Sequence, residues 1–186
     1  MGESVGPEPW RVVASEQIIA DRWIDLRADT CVDVRGHTIA PYYVLDPADW
    51  VTVLALDEAG DAITVEEYRH GAGIVAVGLV GGGVDDNEDP KDAALRELRE
   101  ETGYAAAEII DLGSTWANWG NHTNRSHHFL ARGCRRVGEQ SLDETESITV
   151  GIEDLEALGA RLQQSYHLLT WLKAMERLRR ERPAES

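Results

Sequence analysis

Between residues 10 and 80 the apolar positions alternate with polar ones or cluster in short β-branched runs broken by turn residues, the pattern of strands rather than helices. Strands are predicted over 11–18, 23–32, 38–45, 51–56, 62–68 and 74–80. Arg35-Gly36 and the run Glu58-Ala59-Gly60-Asp61 supply hairpin connections. The period then changes to that of a helix. Asp89 is a good N-cap, Pro90 suits the first helical position, Asp92 lies in the first turn and Gly103 is a C-terminal stop, so a helix is predicted over 90–102. Ala94, Leu95, Leu98 and Thr102 form its expected inward stripe. Further strands are predicted over 108–116, 126–133 and 147–152, then helices over 153–158 and 164–180. Arg177, Arg179, Arg180 and Arg182 complement the dipole at the end of the last helix. With no internal repeat, low-complexity tract or linker, the expected class is α+β, a mixed sheet with helices around it and no separate second domain.

The chain has 186 residues, 42% hydrophobic and 28% charged, in the range of one packed core. Its 18 Lys and Arg against 34 Asp and Glu give a formal charge of −16, a surface that repels polyanions, so no nucleic-acid partner is expected. No apolar run reaches membrane-spanning length and the first residues lack both a basic region and an apolar core, so no membrane association and a cytoplasmic location are expected. Cys31 and Cys134 are too few for a disulfide framework or a thiolate zinc site and are expected as buried free thiols. Half of the sparse aromatics are Trp; Trp10, Trp23 and Trp50 are expected in a core or an interface.

One segment carries chemistry: Gly82-Gly83-Val84-Asp85-Asp86-Asn87-Glu88, seven residues, then Arg96-Glu97-Leu98-Arg99-Glu100-Glu101-Thr102-Gly103-Tyr104. It is a glycine-rich loop leading into a capped helix with three glutamates. Glu97 and Glu101, four apart, project from one helix face, with Glu100 beside them. Like charges so placed repel, and hard divalent cations such as Mg²⁺ or Mn²⁺, which take carboxylate and carbonyl oxygens, relieve that repulsion.

This run resembles the signature of the Nudix hydrolases: Gly, five residues, Glu, seven residues, Arg-Glu, an aliphatic residue, any residue, Glu-Glu, any residue, Gly and an apolar residue. Gly82, Glu88, Arg96, Glu97, Leu98, Glu100, Glu101, Gly103 and Tyr104 fill every specified place. At ordinary residue frequencies of about 6–7% per type, the fixed residues alone recur by chance in such a chain with probability on the order of 10⁻⁶. The resemblance implies an α/β/α sandwich with a mixed sheet between helices. It also implies Mg²⁺ or Mn²⁺ as cofactor, with Glu97, Glu100, Glu101 and the backbone carbonyl of Gly81 as ligands. Glu88 and Arg96 would brace loop and helix through an ion pair, with Gly82 and Gly103 as structural glycines. The metal cluster would polarise a phosphoryl oxygen and activate water for displacement at phosphorus.

Outside the motif the likeness narrows to the ADP-ribose pyrophosphatase and nucleoside diphosphate sugar hydrolase branch. The run Trp50 to Asp57, followed after a turn by Val65-Glu66-Glu67-Tyr68-Arg69-His70-Gly71, resembles the hairpin that in this branch ends in a Gln-Tyr-Arg-like sequence, with Glu67 where Gln is usual. Arg69 would face substrate phosphate. Leu142-Asp143-Glu144-Thr145-Glu146-Ser147-Ile148-Thr149-Val150 resembles the branch's acidic loop, which implies Glu144 or Glu146 as a catalytic base or extra ligand beside Glu101. Between them lies a polar loop with two tryptophans; Trp116 is expected in the core, and Trp119 is the candidate that binds substrate through its ring face or N–H. His122, His127 and His128 match no zinc spacing. Where relatives carry Glu-Leu-Pro-Gly-Gly, this chain reads Gly78-Leu79-Val80-Gly81-Gly82, losing a carboxylate at position 78.

The expected activity is therefore metal-dependent hydrolysis of the pyrophosphate bond of ADP-ribose or a related nucleoside diphosphate sugar, giving a nucleoside monophosphate and a sugar phosphate. The alternatives are a catalytically weak domain that senses a nucleotide sugar, or a hydrolase of another nucleoside diphosphate derivative. An N-terminal antiparallel β segment, residues 1–45, is expected to be a dimerisation element of a homodimer, and residues 46–186 the hydrolase domain.

Overall fold

The fold is taken from a computed structural model that describes residues 7–181; Arg182 lies outside them. Two compact units are present, one of residues up to Pro47 together with Trp116–Asn124, the other of Ala48–Thr115 and the chain from Arg125 onward. In the first unit, β1 (Arg11–Ala20), β2 (Asp25–Val32) and β3 (Thr38–Leu45) form an antiparallel sheet in the order β1-β2-β3. Every residue of β1 is exposed, and Val12, Val13, Ile18 and Ile19 are among its large apolar side chains. Trp10 is exposed, meeting Tyr42 edge-on at 5.7 Å, and Trp23 is 78% exposed beneath the guanidinium of Arg22 at 4.0 Å. Neither tryptophan is in a core of this chain, because Trp23 falls in a turn whose N–H groups are held by the Asp21 carboxylate. The loop 116–124 belongs here through backbone bonds from Leu45 N to the Asn121 carbonyl, 2.8 Å, and from Thr123 N to the Leu45 carbonyl, 3.1 Å.

The second unit is a mixed sheet between helices. Its central path runs β10 (Ile148–Glu153), β5 (Ala62–Arg69), β4 (Trp50–Asp57), β9 (Arg125–Arg136), β7 (Tyr104–Ala105); β6 (Ile74–Gly78) pairs with β5 and β8 (Glu108–Trp116) with β9. β4 and β9 are parallel, whereas β4 with β5, β5 with β6, and β5 with β10 are antiparallel. Strand β4 is buried on both faces, which is why it reads as a continuous apolar run instead of an alternating one. Val51, Val53 and Ala55 pack with Ala93, Ala94 and Leu98 of α1 (Pro90–Thr102). Leu54 and Leu56 pack with Leu158 of the short α2 (Leu155–Leu158) and Ala174 of α3 (Ser165–Glu181).

Helix α1 has the expected bounds: the Asp89 carboxylate accepts from Lys91 N at 2.8 Å, and Gly103 closes the helix in the left-handed region, φ 75°. Its buried stripe is Ala93, Ala94, Leu98, Glu101 and Thr102, with Leu95 only half-buried, so a carboxylate and not that leucine completes the inward face. Trp116, expected in the core, is 49% exposed at the end of β8 where the chain leaves the sheet. Both cysteines are buried and free. No helix among the described residues is long and apolar enough to cross a membrane.

Under α3 the sheet holds a buried polar pair. His128 is fully buried, its Nδ1 2.7 Å from Thr170 Oγ1 and its Nε2 2.9 Å from Thr115 Oγ1. Burial, helped by the nearby Lys173 charge, pushes the imidazole down to about 4, below its ordinary 6.5. The unfolded chain therefore binds a proton at this residue below pH 6.5 that the folded chain refuses, so this contribution to stability is present above pH 6.5 and is lost as pH falls toward 4. Comparing the wild type with His128→Asn isolates it from the carboxylates common to both. The stability gap between them, read from urea unfolding, is expected to narrow by about 1.3 kcal/mol from pH 7.5 to pH 5.5. A gap independent of pH would contradict the neutral buried imidazole.

Candidate active site

The acidic site is built where the loop after β6 crosses the strand β4 and meets α1. Backbone bonds from Val51 N to the Gly82 carbonyl, 2.9 Å, and from Val53 N to the Val80 carbonyl, 2.8 Å, lay residues 80–82 along β4. The approach leaves no room for side chains. A Cβ on Gly81 would collide with the Val51 carbonyl oxygen, and one on Gly82 with the Glu97 carboxylate. Glycine is required here by proximity, which is the physical content of the paired glycines in the motif.

Helix α1 brings the motif carboxylates to this loop. Glu101 is 5% exposed, and its Oε2 accepts from Gly81 N at 3.1 Å. Arg96 lies between loop and helix: its Nε and Nη2 donate to the two oxygens of Glu88 at 3.0 and 2.9 Å, and Nη2 also to the Gly83 carbonyl at 3.0 Å. Its Nη1 donates to Glu97 at 2.8 Å and to Glu100 at 3.2 Å. This fork-to-fork geometry ties the loop, through Glu88, to the face that carries Glu97 and Glu100. Glu88 is held below the usual carboxylate range by its bond from Arg96.

One strand and a loop add further acid. Burial, against the opposing charge of Arg69, raises Glu67 on β5, and Glu146 raises it further. Glu97 is raised by burial, partly offset by Arg96, with Glu100 and Glu146 adding to the rise. Glu101 is pushed up to about 8 by burial, eased by the Gly81 N–H, and then by the charges of Glu97, Glu67 and Glu146. Glu146 is exposed in the turn 143–146, where its carboxylate accepts from Asp143 N at 3.1 Å. Four carboxylates from a strand, a helix and a loop thus share one field. Glu144 is exposed on the same loop.

The donors converging here are all oxygens, and the buried Glu101 carries unrelieved repulsion, so the set fits a hard divalent cation by its chemistry. Among the described residues no three His, Cys, Asp or Glu side chains stand close enough to hold a metal ion as they lie, because Arg96 draws Glu97 and Glu100 to itself.

A family description called the NUDIX domain matches residues 47–172, two-thirds of the chain. The chain belongs to the Nudix family. A second description, the nucleoside diphosphate sugar hydrolase N-terminal domain, matches residues 10–45. The chain is similar to the ADP-ribose pyrophosphatase of Bacillus subtilis (strain 168), 31% identical over 141 residues covering 75% of this chain and 76% of that one. It is also similar to the methanol dehydrogenase activator of Bacillus methanolicus, 30% identical over 139 residues covering 74% and 75%. The crystal structure of an ADP compounds hydrolase shares the fold, with a TM-score of 0.86 over 96% of this chain and 98% of that one, at 17% identity. Nudix hydrolases generally use divalent metal ions.

Arg69, at the end of β5, pairs with Glu67 and lines a cavity of about 590 Å³ between β5, β6 and the start of α3. Trp119 belongs to the first unit, 86% exposed on the loop 116–124. Sequence reasoning noted Glu67 only as a departure from a family pattern and did not single out Tyr166 or His167, which also line the cavity. The signal for Glu67 lies in the register of β5, where Glu66 and Glu67 point to opposite faces.

Proposed function

We propose that this Nudix hydrolase cleaves the pyrophosphate bond of ADP-ribose or a related nucleoside diphosphate sugar, releasing a nucleoside monophosphate and a sugar phosphate. The observation that carries the reading is the buried Glu101, bonded to Gly81 N and surrounded by Glu97, Glu67 and Glu146 at the loop that follows β6. Glu97, Glu100, Glu101 and the Gly81 carbonyl would hold Mg²⁺ or Mn²⁺, which when bound neutralises the charge developing on the phosphoryl oxygens and lowers the pKa of bound water. The protein's own groups do the rest. Arg69 offers guanidinium N–H groups to a phosphate, Arg96 keeps the glutamate helix locked to its loop, and Glu146 accepts a proton from the attacking water. Glu146 takes that role before Glu144 because its charge is felt at Glu67, Glu97 and Glu101. The B. subtilis relative named as an ADP-ribose pyrophosphatase supports the substrate class.

Trp119 is proposed to stack on the base of the substrate, its exposed ring being the kind of face such contacts use. The exposed apolar residues of β1 support a homodimer formed through the N-terminal sheet; the cytoplasm is proposed as its compartment. The test is incubation with Mg²⁺ or Mn²⁺ and a panel of ADP-ribose, GDP-mannose, UDP-glucose and dinucleotides, with products separated by anion exchange. Metal-dependent release of a nucleoside monophosphate from a nucleoside diphosphate sugar is expected. Release of inorganic phosphate alone, or silence from folded protein across the panel, would refute the reading.

A further inference from the structure

The cavity beside Arg69 contains one buried group that the acidic site does not use. His167, in the first turn of α3, is 5% exposed and lines the cavity, yet only one of its ring nitrogens has a hydrogen-bond partner among the described residues. Leu79 N donates to its Nδ1 at 3.2 Å, which makes Nδ1 the acceptor. Burial pushes this imidazole down to about 3, with Arg69 pushing the same way, so the ring is neutral and its single proton resides on Nε2. A donor is therefore fixed in orientation at Nε2, the ring nitrogen left without a partner among the described residues and open to the solvent of the cavity. A ligand hydroxyl that replaces that water as acceptor keeps the bond.

Position 78 explains why the ring can lie there. A Cβ on Gly78 would come within 2.6 Å of His167 Cε1 and 2.8 Å of Nδ1, so the imidazole occupies the volume that any side chain at 78 would need. The glycine and the histidine are one device: the absence of a side chain on β6 admits a ring from α3.

We propose that this cavity is the subsite for the sugar that leaves as sugar phosphate, and that His167, donating from Nε2 to a sugar hydroxyl, is a specificity-determining residue. This rests on the pyrophosphatase reading above. The polar groups of the lining suit a polyol, set beside an apolar wall of Ala72, Ile74, Ala76 and Val77. Beyond the Glu67–Arg69 pair, Gln163 and Gln164 offer both donors and acceptors, as hydroxyl groups require. The Tyr166 ring already meets His167 at 4.8 Å and Trp50 at 6.3 Å. Arg69, which also lines the cavity, would hold the phosphate that joins the sugar to the rest of the substrate.

The test compares wild type with His167→Asn and His167→Gln. Asparagine places an acceptor near Nδ1, keeping the bond from Leu79 N while losing the donor in the cavity; glutamine reaches the position of Nε2. Ribose 5-phosphate and AMP are measured as competitive inhibitors of ADP-ribose hydrolysis. The inhibition constant of ribose 5-phosphate is expected to rise about tenfold in His167→Asn and to recover in part in His167→Gln, with that of AMP unchanged within about twofold. A rise for AMP alone, or for neither in a folded variant, overturns the proposal. Should the asparagine variant not fold, wild-type KM values decide. Variation of tenfold or more among ADP-sugars differing only in the sugar supports it, and KM values that follow the base instead overturn it. If wild type hydrolyses no nucleoside diphosphate sugar, the pyrophosphatase reading fails by itself. Calorimetric titration of ribose 5-phosphate then still decides the cavity, with binding weakened in His167→Asn supporting the subsite and no binding overturning it.

Discussion

Glu101→Gln lowers turnover by on the order of 10³-fold with saturating Mg²⁺ or Mn²⁺ while the protein melts within a few degrees of wild type. The size follows from the loss of a charged ligand at a site where even supporting partners contribute 10- to 100-fold and a single electrostatic donor up to 10³-fold. The intact fold follows from geometry. Glu101 accepts one bond, from Gly81 N at 3.1 Å, and the amide oxygen of glutamine can accept the same bond. Removing the charge also relieves the burial and the repulsion from Glu97, Glu67 and Glu146 that push the carboxylate up to about 8. Steady-state kinetics beside a thermal melt read both halves. Turnover near that of wild type would remove Glu101 from the metal-binding set, and a collapsed melt would make it a structural residue.

Gly81→Ala destabilises the chain by about 3 kcal/mol, the upper end of what an overpacked position costs, and lowers the melting temperature by roughly 6–12 °C for a chain of this size. The new methyl group would be driven into the Val51 carbonyl oxygen and would stand 3.3 Å from Trp50 Nε1 and 3.4 Å from Thr52 Cα. Two of these neighbours are backbone in the central strand and cannot turn away as a side chain could. Relief requires the loop to lift from β4, which stretches the bond from Val51 N to the Gly82 carbonyl and moves the Gly81 N–H away from Glu101. Activity should therefore fall together with stability. Gly83→Ala is the internal control: nothing lies within 4 Å of a Cβ there, so its melt should stay within about 0.5 kcal/mol of wild type. Equal melting of the two variants would show that the loop is not clamped on the strand.

The structure also shows where sequence reasoning succeeds and where it stops. Helix α1 was readable to the residue because its ends are decided locally, by the Asp89 carboxylate at one end and the left-handed Gly103 at the other. Glu97, Glu100 and Glu101 could be assigned to one neighbourhood from spacing alone, since a helix converts spacing into direction. The strands of both sheets were likewise legible from alternation, turn residues and, for β4, an unbroken apolar run. The two-residue β7 was not, because a pairing of Tyr104 with Arg136 and Ala105 with Arg135 leaves no periodic trace. Burial was read less well than element type. Leu95 of α1 is half-buried while Glu101 is buried, and Trp116 is exposed, since a residue's polarity states a preference and the neighbouring elements decide the outcome.

What the sequence determined by itself is what short-range chemistry controls: the strands and helices, the glycine loop, the face of α1 that carries the glutamates, and the family to which these belong. Only the tertiary structure decided which distant groups join them. Glu67 and Glu146 enter the field of Glu101 because β5 pairs with β10 in a register that sets Glu67 opposite Ile148, two residues from Glu146. His167 fills the space above Gly78 because α3 packs across the sheet, bringing together residues 89 positions apart. Loop 116–124 joins the first unit through its bonds to Leu45. Sheet register and helix packing are settled by the sum of many weak, sequence-distant contacts, and no spacing within a single segment encodes that sum.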